Sequence, residues 1–194
     1  MSADAYLELM KAWLHSPDPA PFRLDRTFVH KRDARNVFIT RVEPISPDIP
    51  DEHLAQLAID ADHPYHFEHA QDHVPGMMLI EAGRQLAMAI AHLYYNVPFK
   101  TVFVVDEMNI GFKRFAELAA PIFVHSWVRE KQYRRNQLVA MSSGGEFLQD
   151  GEVVATLSGR WTMYDRALIA RLRRRSPPAP EVVAAAADPA SRAG

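Results

Sequence analysis

Residues 75–95 constrain this chain more than any other stretch. From Met77 to Tyr95 the sequence is almost wholly apolar, interrupted by Glu81, Arg84, Gln85 and His92. Pro75 fits a first helical turn, where its missing N–H costs nothing. Asp72 or His73 just before it can cap or line that turn. A helix apolar on all sides belongs in a core. At roughly 100° per residue, Gln85 lies about 40°, His92 about 20° and Arg84 about 60° from Glu81. The four polar groups therefore share one stripe of a buried helix. Charges within the run argue against a membrane span. Gly83 stands where a helix former would be worth about 1 kcal/mol more, so something is expected to approach the backbone there. Two readings of the stripe stand side by side. Glu81 and Arg84 can neutralise each other and pin the helix, or they can form a dry acid–base site at the mouth of a pocket.

The rest of the chain supplies strands to cover such a helix. With 194 residues and 48% hydrophobic content, one domain with a real core is expected. The net charge of −2 carries no nucleic-acid footprint. The absence of cysteine removes thiolate nucleophiles and zinc–sulfur sites and fits a reducing compartment. No charged-then-apolar leader opens the sequence, so a cytoplasmic protein is expected. Residues 1–15 carry a helical spacing in Tyr6, Met10, Trp13 and Leu14, and the prolines at 17, 19 and 21 break it.

Thr27–His30 and Asn36–Val42 read as strands, while Asp51–Asp60 suits a strand or a short helix. Beyond the helix, Thr101–Phe112 reads as one strand bent at Asp106-Glu107, and Ile122–Val128 as another. Gln137–Leu148 reads as a hairpin turning at Gly144-Gly145. Asp150-Gly151 is the clearest turn, leading into a last strand at Val153–Met163. Asp165–Arg175 is a basic helical segment, and the Pro- and Ala-rich stretch from Pro177 reads as disordered. The domain plan is residues 1–21 as helix and linker, 22–165 as the folded domain, and 166–194 as a basic tail.

Four of the nine histidines, His63, His66, His69 and His73, crowd the loop before the helix. With Glu68 and Asp72 they offer metal-ligand chemistry. The plainer reading is a loop held together by its own hydrogen bonds, and no metal is assigned. His92 reads as a satisfied core histidine, and His30 and His125 are given no role.

A resemblance then becomes specific. Pro75-Gly76, Glu81-Ala82 and Gln85 resemble the signature of hotdog-fold beta-hydroxyacyl-carrier-protein dehydratases, as does Asn109–Arg114 after the helix. The string is more similar still to the A-factor (gamma-butyrolactone) biosynthesis hotdog family. Val29-His30-Lys31, His63-Pro64, Asp72–Met77, Glu81-Ala82, Arg84-Gln85 and Val97-Pro98 follow that family's order, from about Thr27 to about Met163. The resemblance implies an α+β hotdog fold, a long central helix wrapped by a curved antiparallel sheet. It also implies acyl-thioester substrates on a carrier protein or coenzyme A, and sites at the junction of two subunits. Family members with two hotdog units would be matched here by a homodimer.

Glu81 and Arg84 are the functional pair that the resemblance implies. His69 and His73 are the further catalytic candidates. Gly76, Met77, Gln85, Asp72 and His66 are the expected substrate-binding residues. In acyl transfer, Glu81, raised by burial, would take the proton of an attacking hydroxyl. Arg84 would hold a phosphate or a developing charge, and the N–H groups of Gly76 and Met77 would polarise the thioester carbonyl. The expected activity is transfer to a small hydroxylated acceptor. Dehydration, thioester hydrolysis and a non-catalytic acyl-binding module stay open beside it. No cofactor, nucleic acid or membrane span is expected.

Overall fold

The computed structural model describes residues 23–175. The expected helix at the N-terminus and the Pro/Ala-rich tail lie outside them. Six strands form one antiparallel sheet in the order β1-β2-β4-β5-β6-β3. They are β1 Ile39–Pro44, β2 Glu52–Leu57, β3 Val102–Phe112, β4 Phe123–Arg134, β5 Gln137–Gln149 and β6 Glu152–Tyr164. The long helix α1, Gly76–Tyr94, packs on the sheet, and a second helix α2, Arg166–Arg175, follows β6. No helix among the described residues is long and apolar enough to cross a membrane.

The face of α1 toward the sheet is read from Gly83. A Cβ there would stand 3.1 Å from both methyls of Leu157 and 3.5 Å from the Phe147 ring. The expected close approach to Gly83 is therefore the sheet itself. Glu81 and Gln85 are each two residues away, about 160° around the helix. They point to the opposite side, where residues 26–38 cross the helix as a strap.

The strap corrects one expectation. Thr27–His30 is not a strand but part of a 3-10 turn, Arg26–Val29, closed by His30 at φ 53°. Asp25 accepts from the backbone N of Thr27 at 2.8 Å, and Asp33 accepts from Arg35 N at 2.9 Å to start a second turn. Such local side-chain bonds compete with strand pairing, so pairing begins only at Ile39.

The second correction concerns the glycines of β5. The strand runs unbroken through Gly144 and Gly145. A Cβ at Gly144 would meet the Trp127 indole at 2.8 Å, so this glycine makes room for a ring. The β4–β5 hairpin turns instead at Arg135 and Asn136, both at positive φ (50° and 61°). That is the two-residue turn whose twist matches the strands. Asp150 and Gly151 (φ 51° and 80°) form the turn expected of them.

The helix cap differs too. Pro75 is itself the cap residue, with no side-chain cap bond. Asp72 bonds His73 instead, Oδ1 to Nδ1 at 2.8 Å. The helix start is tied down by Val74 N donating to Ala116 O at 2.7 Å.

The bend in β3 lies where the sequence placed it, as a register shift between Val105 and Glu107. Gly159 on β6 faces it, and a Cβ there would stand 2.9 Å from the Glu107 carbonyl oxygen. A backbone oxygen cannot swing aside. Gly159→Ala is expected to destabilise the chain by about 1–3 kcal/mol, read as a lower urea midpoint at unchanged slope.

Candidate functional site

Glu81 is the hub of the polar stripe. Arg84 grips its carboxylate with two donors, Nε to Oε2 and Nη2 to Oε1, each at 2.7 Å. Lys31 Nζ reaches Oε1 from the strap at 2.7 Å, and Gln85 Nε2 donates to the same oxygen at 2.9 Å. Burial pushes the Glu81 carboxyl up, but the bonds from Arg84, Lys31 and Gln85 outweigh it and hold the group at about 2, against 4.5. This overturns the expectation of a carboxyl raised by burial. Glu81 stays ionised at neutral pH and is a weak base. Two cations and one carboxylate leave the cluster one positive charge in excess. Their side chains keep 22–29% of their surface open, so the cluster is reachable by a small anion. The remaining Arg84 donor, Nη1, points at Met88 Sδ, 2.9 Å away, a weak acceptor that a better one would displace.

Gln85 is fully buried. Its Oε1 accepts from Phe38 N at 2.8 Å and its Nε2 donates to Asn36 O at 2.7 Å. It fastens the strap and orients Glu81, and it presents no atom for a substrate to touch. His66 sits beside the cluster, its ring edge-on to Phe38 and packed by Tyr65 and His63. Burial pushes its imidazole down, as does neighbouring His63, while Glu81 pulls it up. The bland reading holds for the buried His63, which bonds Asn36 and accepts from the backbone N of Tyr65 and His66. His69 stands exposed in the loop.

The other candidates gather elsewhere. A groove of about 520 Å3 opens at the start of α1, lined by His73, Gly76, Leu79, Phe112, Lys113 and Phe115. Its wall is mostly apolar, with Phe112 and Phe115 more than half exposed. Gly76 is needed there because a Cβ would touch the Phe112 ring at 2.8 Å. The first N–H groups of α1 have no partner within the helix. The groove and Glu81 lie on different sides of α1, five residues and about 140° apart.

Sequence reasoning missed two contributors, Lys31 and His30. Lys31 completes the carboxylate clamp. His30 puts its Nε2 3.0 Å from His92 Nε2. Their neighbours in the chain carry no periodic signal, and only the fold brings the strap to the helix.

The family model described as the A-factor biosynthesis hotdog domain matches residues 14–165. The chain belongs to this family. A protein from Streptomyces virginiae named 2-oxo-3-(phosphooxy)propyl 3-oxoalkanoate synthase is 41% identical over 71 residues, 37% of this chain and 22% of its own length. One of the same name from Streptomyces griseus is 33% identical over 110 residues, 56% of this chain and 33% of its own. The matched part of this chain thus spans about a third of those relatives or less. Among solved structures, the dehydratase heterocomplex ApeI:P from Xenorhabdus doucetiae aligns with a TM-score of 0.61 at 14% identity, covering 79% of this chain and 98% of its own. A hot-dog-like protein from Thermanaerovibrio acidaminovorans gives 0.52 at 13%, covering 66% and 95%. Likeness at this identity establishes the hotdog fold.

Proposed function

We propose that this A-factor-type hotdog chain is an acyltransferase. It joins the acyl group of a carrier-protein or coenzyme A thioester to the hydroxyl of a small phosphorylated acceptor, of the dihydroxyacetone phosphate kind. The carrying observation is the clamp of Lys31 and Arg84 on the carboxylate of Glu81. A carboxyl held at about 2 has no proton to release, so it does not suit the acid of a dehydration. It is also too weak a base to activate water well. What the cluster offers is fixed positive charge. Arg84 can exchange Met88 for a phosphate oxygen, and Lys31 can follow it. The name of the two Streptomyces relatives, synthases of a 2-oxo-3-(phosphooxy)propyl 3-oxoalkanoate, supports this reading.

The acyl chain would lie in the groove at the start of α1. The N–H groups of Gly76 and Met77 would face the thioester carbonyl, with Lys113 at the rim for the carrier's phosphate. His73, held by Asp72, lines the same groove and would contact the thioester arm. His69 keeps only a place near the entrance.

One protomer does not turn the groove and the cluster toward the same small substrate. A homodimer would. β3 is an outer strand of the sheet, and its Val105 and Phe112 side chains are exposed. Pairing of two such edges would continue the sheet and set each groove against the other subunit. Sedimentation should give the mass of two chains, and Val105→Lys should lower it and the activity together.

The test is product analysis of purified protein with a beta-ketoacyl thioester and dihydroxyacetone phosphate. The phosphorylated ester is expected, and Arg84→Met should raise the acceptor KM at least about tenfold. Free acid alone would point to a thioesterase, an enoyl thioester to a dehydratase, and binding without turnover to an acyl-binding module.

A further inference from the structure

Acyl transfer needs a group that takes the hydroxyl proton and later gives it to the departing sulfur. Glu81 is unsuited, because Arg84, Lys31 and Gln85 occupy its oxygens. A pair of imidazoles lies on the same side of the helix. His30 follows Val29 and directly precedes Lys31, the residue that reaches Glu81. His92 lies on the polar stripe, one helical turn past Met88, which touches Arg84.

The protons of this pair can be assigned from chemistry. His92 Nδ1 lies 2.6 Å from the Val97 carbonyl oxygen. A carbonyl only accepts, so Nδ1 carries the hydrogen, and a neutral His92 has a lone pair at Nε2. His30 Nε2, 3.0 Å away, must then be the donor. His30 is an exposed residue whose ring packs on His92 and Phe103, and it is left with a lone pair at Nδ1. The pair is packed by Phe103, which meets both rings edge-on, and by Phe99 against His92. This is the layout of a base held in one tautomer by a fixed acceptor behind it.

We propose that His30 is the general base of the transfer and that His92 is its positioning residue. This rests on the acyltransfer reading. As the acceptor oxygen, seated at Lys31 and Arg84, attacks the carbonyl of a thioester held in the partner subunit's groove, a C–O bond forms, the carbonyl becomes an oxyanion and the hydroxyl proton passes to His30 Nδ1. The C–S bond then breaks, and the proton on Nδ1 goes to the leaving thiolate. No oxidant or further reactant is needed. The groups that act on His30 are His92, 3.0 Å away, and the charge of Arg84 from α1, while its chain neighbour Lys31 reaches Glu81. From β3 comes Phe103, edge-on to the His30 ring, and Phe99 packs on His92. Burial pushes the His30 imidazole down, and His92 and Arg84 push it further, so the base is neutral and ready at pH 7.

The experiment is a pH profile of kcat/KM for the full chain, its His30→Gln and its His92→Leu, with beta-ketoacyl thioester and dihydroxyacetone phosphate. The wild type should lose activity as pH falls through a midpoint below the ordinary histidine value. His30→Gln should lower kcat at least about 100-fold with little change in KM and abolish that limb. Added imidazole should partly rescue His30→Ala. His92→Leu should keep a limb but move its midpoint. Nitrogen-15 spectra of the imidazoles should show hydrogen on His92 Nδ1 and His30 Nε2, whatever the activity. If the wild type makes ester and His30→Gln keeps kcat within about threefold, the base assignment falls and the acyltransfer reading stands. If the wild type makes no ester, both fall. Hydrogen on His30 Nδ1 in the free protein also overturns the assignment.

Discussion

Glu81→Gln is expected to cost about 3 kcal/mol of stability at pH 7 and to lower ester formation at least about 100-fold. The folded carboxyl stands at about 2 instead of 4.5, which at about 1.4 kcal/mol per pH unit gives about 3.5 kcal/mol, lowered to about 3 for solvent screening of a partly open cluster. The sign follows from linkage. A depressed carboxyl stabilises the fold fully above its unfolded value of 4.5, and that stability fades as pH falls toward 2. Urea unfolding of wild type and variant should therefore differ most at pH 6–7. The gap should shrink to roughly half or less at pH 3. Equal midpoints at pH 7, or a gap that widens in acid, would contradict the clamp. The kinetic loss has a separate cause. Without the carboxylate, Lys31 and Arg84 lose their common anchor and repel each other, so the charge for the acceptor is no longer preorganised.

Gln85→Met should cost a comparable amount of stability for a different reason. Methionine fills a similar volume but bonds neither Phe38 N nor Asn36 O, which Gln85 now satisfies at 2.8 and 2.7 Å. Each polar group left buried without a partner costs about 1–3 kcal/mol, so a loss of about 2–5 kcal/mol is expected. Hydrogen exchange should localise the damage. Amides near Phe38 should lose protection first, while those of β5 and β6 keep theirs. Uniform loss over the whole sheet would mean that Gln85 supports the core rather than the strap.

Much of this was legible in the sequence because helix periodicity is strong. The run from Met77 to Tyr95 announced a buried helix, and the spacing of Glu81, Arg84 and Gln85 announced one stripe. The bend near Asp106 and the turn at Asp150-Gly151 were equally readable. The strap was not, since Thr27–Val29 has strand-like residues and the caps at Asp25 and Asp33 outvote them. Gly144-Gly145 misled because a glycine that clears an indole looks the same in sequence as one that turns a chain. Burial of Glu81 was read correctly and its consequence was not. The missing knowledge was Lys31, fifty residues earlier in the chain.

The strap also separates the chemistry from the scaffold. Lys31 and His30 belong to a segment outside the sheet, fastened through Gln85, Glu81 and His92. Thermal opening of that segment would dissolve the charged centre while every β-ladder stays zipped. Catalytic competence should thus fade on warming before the global melt, and inactivation and unfolding would be two events on the temperature axis.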